Sequence, residues 1–238
     1  MIVRANPLAR IGAALALMAA LFVSLDAVTA ILIIALDLAI APLTGIRARR
    51  LAIRAAPLLA VAAVIGLSNG LVAAGGPSAD IGLALGLRVF AVGLTGLLAV
   101  LPTDPTDLAD ALIQDMRVSP RLALSTLASL RLAPLVADDW RTLGLARRAR
   151  GLDAGRSPRR WLLLFGSALV TLLTSAIRRA TRLATAMDAR GLGSGPRSFA
   201  RPVVMRPADW GLLFAGIAAA GSALAISLAL GQWRFLLG

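Results

Sequence analysis

Residues 55–79 read AAPLLAVAAVIGLSNGLVAAGGPSA, a run without a single charge. A helix needs roughly 20 apolar residues to cross a hydrocarbon core about 30 Å thick. This run meets that length and closes on Gly75-Gly76-Pro77-Ser78, a turn signal. A membrane-spanning helix over roughly 55–75 is therefore predicted. Downstream, a span over roughly 81–101 carries Arg88 in its first half, where the guanidinium can snorkel outward. Near the other end, Trp210 to Trp233 is again uncharged. The two tryptophans bracket a span over roughly 209–232, where interfacial rings are favoured.

Upstream, Ile11 to Ile46 is apolar apart from Asp26 and Asp37. Arginines lie on both flanks, Arg4 and Arg10 before it and Arg47, Arg49, Arg50 and Arg54 after it. Basic flanks mark the cytoplasmic side, so this stretch is predicted to be a hairpin of two short spans with a cytoplasmic N-terminus. Asp26 falls at the turn. Asp37 falls inside the second span and is read as packed against a neighbouring helix rather than as a functional intramembrane acid. The basic start followed by apolar residues also suits a signal peptide. No convincing small-residue cleavage site follows, so the segment is read as a retained span.

Composition agrees with a membrane class. Hydrophobic residues make up 58% of the 238 positions, and mean hydropathy is +0.83. Every basic residue is arginine and every acidic one aspartate; Lys, Glu, His, Cys and Tyr are absent. Such uniformity is first a bias of the encoding genome. It nevertheless removes disulfides and thiolate nucleophiles, the usual zinc ligands, and most of the acid–base repertoire near neutral pH. The net charge is +13, and residues 103–206 hold seventeen Arg against eight Asp. Nucleic acid is one partner for such a surface. No stacking aromatics are interleaved with the arginines, so the charge is read as marking a cytoplasmic-side segment.

Within that segment three helix starts share one chemistry: Asp104-Pro105, Ser119-Pro120 and Ser157-Pro158. A capping side chain takes an orphan amide, and proline at the first helical position loses nothing because its missing N–H had no partner there. The second helix is predicted over Pro120 to Arg150 with a bend at Pro134, the third over Pro158 to Arg190. Each would be about 45–50 Å long at 1.5 Å per residue. Trp161 to Ile177 is uncharged, yet arginines crowd both of its flanks, so this helix is expected to enter and return or to lie along the boundary.

Both long helices end in the same tripeptide, Ala149-Arg150-Gly151 and Ala189-Arg190-Gly191. Ordinary helix termination explains much of this. Glycine takes the left-handed conformation after a helix, and arginine in the last turn complements the dipole. The functional reading adds that two exposed arginines at adjacent helix tips would form a two-pronged basic contact. Guanidinium groups suit carboxylates and carbonyls on a soluble partner.

Taken together, these segments resemble the transmembrane T component of energy-coupling factor transporters, the vitamin and metal uptake systems. Thr103-Asp104-Pro105-Thr106-Asp107-Leu108 with Ala111-Leu112 resembles the opening of that family's first coupling helix. Leu130-Arg131-Leu132-Ala133-Pro134-Leu135 resembles its Arg-x-x-Pro stretch. Ala146-Arg147-Arg148-Ala149-Arg150-Gly151 resembles its first signature, and Ala186-Met187-Asp188-Ala189-Arg190-Gly191 its second. The N-terminus departs from the pattern: members often carry Lys before the first span, where this chain has Arg10.

The resemblance implies an all-α polytopic membrane protein of about five transmembrane helices plus three coupling helices. Residues 1–102 would hold about four spans, 103–206 the coupling region and 207–238 the last span. It implies a non-catalytic subunit of a bacterial cytoplasmic membrane, working with two ATP-binding-cassette ATPases and a substrate-binding membrane subunit, and needing no cofactor of its own. Ala149, Arg150, Gly151, Ala189, Arg190 and Gly191 would dock the ATPases. Asp104, Arg131, Pro134 and Asp188 would be structural or coupling residues. No Gly-rich Lys-Ser/Thr phosphate loop is present for ATP. One alternative is a membrane-embedded enzyme with Asp104, Asp107 and Asp110 as metal ligands on one helical face. Acids in a helix's first turns also simply suit the dipole. The other alternative is a structural membrane protein.

Overall fold

The structure, a computed structural model, describes residues 5–24, 26–72, 78–152, 155, 157–191, 203 and 205–231. The expected turn at Gly75–Pro77, most of the loop after Gly191, and Trp233 lie outside the described residues. The chain is all-α and forms two compact units, residues 1–111 with 203–238, and residues 112–202.

The first unit contains α1 (Pro7–Val23), α2 (Ala27–Ile40), α3 (Ala48–Leu71), α4 (Ala79–Val100) and α8 (Pro207–Ala229). A short 3-10 turn, Ala41–Thr44, extends α2. The hairpin expected over 11–46 is therefore present, with Asp26 as the N-cap of α2. Asp26 is buried and fully engaged. Ser24 Oγ donates to it, Thr29 donates through both its amide (2.9 Å) and its hydroxyl, and Ser227 Oγ donates from α8 at 2.6 Å. Asp37 is buried against α4, where Thr95 Oγ1 donates to it at 2.6 Å. The structural reading of Asp37 thus has a named partner.

Small residues decide the packing. On α3, Ala62, Gly66 and Gly70 recur every fourth position, and on α4 Gly82 and Gly86 meet them. A Cβ on Gly82 would lie 2.6 Å from the Gly66 carbonyl oxygen, and one on Gly66 would lie 2.8 Å from the Gly82 oxygen. Backbones this close gain dispersion along the whole crossing, which is how helices associate where lipid removes the hydrophobic drive. α1 and α8 pair by the same means: a Cβ on Gly216 would meet the Ala13 Cβ at 2.6 Å. Leu17, Leu21, Ile33, Ala91, Ala220 and Ala223 fill the centre among α1, α2, α4 and α8.

α1 and α8 run parallel, because their starts and their ends both meet. At the starts, the Asn6 amide donates to Asp209 Oδ1 at 2.9 Å. At the far ends lies the Ser227–Asp26 bond. Arg10 belongs to the same starting end. Sequence reading placed it before the apolar stretch as a flanking charge; it lies inside α1 and is 7% exposed. Its Nη2 donates to Thr103 Oγ1 at 2.8 Å, while Nε and Nη1 have no partner among the described residues. Thr103 follows α4 directly. The chain therefore leaves α4 at the same end of this unit at which α8 begins. Arg88 reaches the other end of α1, donating to the Phe22 carbonyl at 3.1 Å with its guanidinium carbon 5.4 Å from that residue's ring centre.

The second unit contains α6 (Pro120–Ala149) and α7 (Pro158–Ala189); α5 (Pro105–Gln114) precedes them. All three begin at the expected prolines. Ser157 caps α7 through the Arg160 amide, and Asp104 Oδ1 accepts from the Thr106 amide at 2.8 Å. Ser119 forms no side-chain cap bond, contrary to expectation. α6 continues as helix through Pro134.

Among the described residues, five helical segments are long and apolar enough to cross a membrane: Ala27–Thr44, α3, α4, α7 and α8. The number matches the expectation, but the set differs. α1 has 17 residues, about 25 Å of helix, and falls short on length alone. α7 qualifies through its uncharged run, and length and composition take no account of the arginines at both of its flanks.

Candidate functional site

Both arginine tripeptides sit where a helix must release its last carbonyls. Arg150 is the C-cap of α6 and Gly151 follows at φ 71°. The Gly151 amide donates to the Arg148 carbonyl and the Leu152 amide to the Arg147 carbonyl, each at 2.9 Å. These are the paired bonds of a Schellman ending, which needs a residue in the left-handed region. Arg190 caps α7 in the same way. Gly191 follows at φ 74°, and its amide donates to the Asp188 carbonyl at 2.9 Å. The turn throws the capping side chain outward. Ala149, Arg150, Ala189 and Arg190 are all exposed, and neither guanidinium has a hydrogen-bond or ion-pair partner among the described residues. Each tip thus offers an exposed, planar donor fork to a partner.

The two tips are not adjacent, which corrects the picture of neighbouring prongs. The end of α6 lies by the start of α7: Arg147 Nη1 donates to the Leu164 carbonyl at 2.6 Å. Arg190 is 26 residues beyond Leu164, about 39 Å along α7 at 1.5 Å per residue. Arg150 and Arg190 therefore stand tens of ångströms apart, at opposite ends of α7.

Few contacts join α6 to α7. Trp140 packs edge-on against Phe165 at 5.4 Å between ring centres, and Phe165 stacks on Trp161 at 5.0 Å. Farther along α7, Arg179 forms an ion pair with Asp139. Between these points only Ala168 and Leu172 of α7 are buried. Sequence reading missed these pairs; nothing in the spacing of Asp139 and Arg179 marks them as partners. Of the other expected site residues, Arg131 and Pro134 are exposed on α6, Asp188 is exposed in the last turn of α7, and Asp104 is exposed before α5. Asp104, Asp107 and Asp110 do not assemble a metal site: among the described residues, no three metal-ligating side chains come together.

A multi-pass helical membrane protein, with arginines presented at the capped ends of two long helices, is the class these features define. The chain belongs to the cobalt transport protein family CbiQ, whose pattern matches residues 1–198. Two curated relatives are named energy-coupling factor transporter transmembrane protein EcfT. The one from Exiguobacterium sibiricum is 35% identical over 117 residues, covering 46% of this chain and 44% of the relative. The one from Bacillus selenitireducens is 33% identical over 122 residues, covering 48% of this chain and 46% of the relative. The chain thus spans about half the length of the curated relatives it matches.

Proposed function

We propose that this chain is the transmembrane coupling subunit of an ATP-driven energy-coupling factor importer. It would join two ATPase subunits to a substrate-binding membrane subunit without catalysing a reaction itself. The observation that carries this reading is the pair of exposed arginines that cap α6 and α7, each followed by a left-handed glycine. Their wide separation suits a partner with two docking positions, such as a pair of ATPases, better than a single pocket. Membership in a transport family and the names of the relatives support the same reading.

Contacts within the first unit support a topology. α4 ends and α8 begins at the same end of α1, through the Arg10–Thr103 and Asn6–Asp209 bonds. These contacts support a reading in which residues 104–206 start and finish on one side, so that α7 does not cross by itself. In this reading α1, α2, α3, α4 and α8 span the bacterial cytoplasmic membrane. The N-terminus faces the cytoplasm, the arginine-rich region 103–206 stays on that side as the coupling region, and residues 207–238 hold the last span. Asp104, Arg131, Pro134 and Asp188 serve as structural or coupling residues within that region.

The test is co-purification from membranes with tagged ATPase subunits. Arg150→Glu combined with Arg190→Glu should abolish the complex, because each tip then presents like charge to the partner, while the chain stays monodisperse in detergent. Undiminished ATPase binding by the double variant would sink the proposal.

A further inference from the structure

Along α7 the contacts with α6 straddle one crossing point, reaching out from the neighbouring residues Asp139 and Trp140 of α6. On one side Trp140 meets Phe165 and Arg147 meets the Leu164 carbonyl. On the other side Asp139 pairs with Arg179. The buried Ala168 and Leu172 lie between. Phe165 and Arg179 are about 21 Å apart along α7. A helix that touches its neighbour at one point can rock on it; one tied on both sides of that point cannot.

We propose that Asp139 and Arg179 are positioning residues that set the spacing of the two docking arginines by bracing the α6–α7 crossing. This rests on the coupling-subunit reading. Both side chains of the pair are about one-third exposed, so screening limits what the pair adds to stability. Its role is geometric. Arg179 lies about 14 Å along α7 from the centre of the crossing and Arg190 about 30 Å. Play at the brace is therefore roughly doubled at the tip, and a ~10° loosening moves Arg190 by about 5 Å. Displacements of that size defeat a bidentate arginine contact, which depends on donor–acceptor distances of about 3 Å. Trp140 and Arg147 cannot substitute, because the α7 residues they hold, Phe165 and Leu164, lie on the other side of the crossing from Arg179.

The absence of cysteine makes the test direct. Ala146→Cys and Ala186→Cys place spin labels on exposed positions near the two tips of the full chain in nanodiscs, and pulsed electron resonance reads their separation. Asp139→Asn or Arg179→Gln should broaden the distance distribution by several ångströms. From membranes, the same variants should lower ATPase co-purification at least twofold, because the displaced tip loses its docking contact. The swap Asp139→Arg with Arg179→Asp should restore both readouts, which a general packing defect would not permit. A distribution unchanged in both single variants overturns the brace, as does a swap no better than either single variant. If the distances respond while the Arg150/Arg190 double variant still binds ATPases, the brace stands and the coupling reading falls.

Discussion

Replacing Gly82 with alanine places a methyl group 2.6 Å from the Gly66 carbonyl oxygen and 3.1 Å from Gly70 Cα. Both obstacles are backbone, so no side chain can swing aside. Ordinary contact begins near 3.4 Å, and α3 and α4 must part by about 0.8 Å to reach it. A gap of 0.5–1 Å forfeits a quarter to a half of each pairwise attraction, and rigid helices lose it along the crossing rather than at one atom. Overpacking of this kind costs about 1–3 kcal/mol, a factor of roughly 5–150 in the equilibrium, since 1.4 kcal/mol is tenfold. The assay is unfolding in mixed micelles titrated with SDS, followed by circular dichroism. Gly86→Ala should cost less, because its Cβ would stand 3.0 Å from the Ala62 oxygen. Gly211→Ala, on α8, is the control: its Cβ meets nothing within 4 Å, and alanine gains up to about 1 kcal/mol of helix propensity over glycine. The expected order of stability is Gly211→Ala first, then Gly86→Ala, then Gly82→Ala. A Gly82→Ala chain as resistant to SDS as Gly211→Ala would refute the close α3–α4 approach.

Two further outcomes follow from the same structure. Thr95→Val removes the hydroxyl that donates to buried Asp37 and should cost about 1–3 kcal/mol by leaving a buried acceptor unmet; Thr95→Ser should recover most of it in the same SDS titration. Gly151→Val and Gly191→Val place a β-branched residue at φ 71° and 74°, a strain of about 1–2 kcal/mol. Each should weaken ATPase co-purification through the neighbouring arginine, whereas asparagine at either position should be nearly silent.

The local part of this fold was open to sequence reading, because local chemistry fixes it. Pro105, Pro120 and Pro158 begin α5, α6 and α7 since the first helical turn accepts proline without losing a hydrogen bond. Gly151 and Gly191 end α6 and α7 since little else adopts their φ. Partnerships between distant residues were closed to it. The four-residue spacing of Gly66–Gly70 and Gly82–Gly86 is plain in the sequence, yet which helix faces which depends on the assembled bundle. Arg10 reads as a flanking charge because the sequence cannot tell that Thr103 will stand beside it. Asp139 and Arg179 lie 40 positions apart among many other arginines, so no pattern selects that pair. The separation of Arg150 from Arg190 was misread for a related reason: matched endings suggest neighbouring tips, but the short link from α6 to α7 forces the second ending to the far side.

The bond from the Asn6 amide to Asp209 joins residues 203 positions apart. A ribosome adding about 5–20 residues per second needs roughly 10–40 s to cover that distance. For that interval the first helix waits in the membrane without its parallel partner, its glycine and alanine face open to lipid or to other emerging helices. α8 is thus the helix that closes α1, and this bundle cannot be finished until the 203 positions between them have been made.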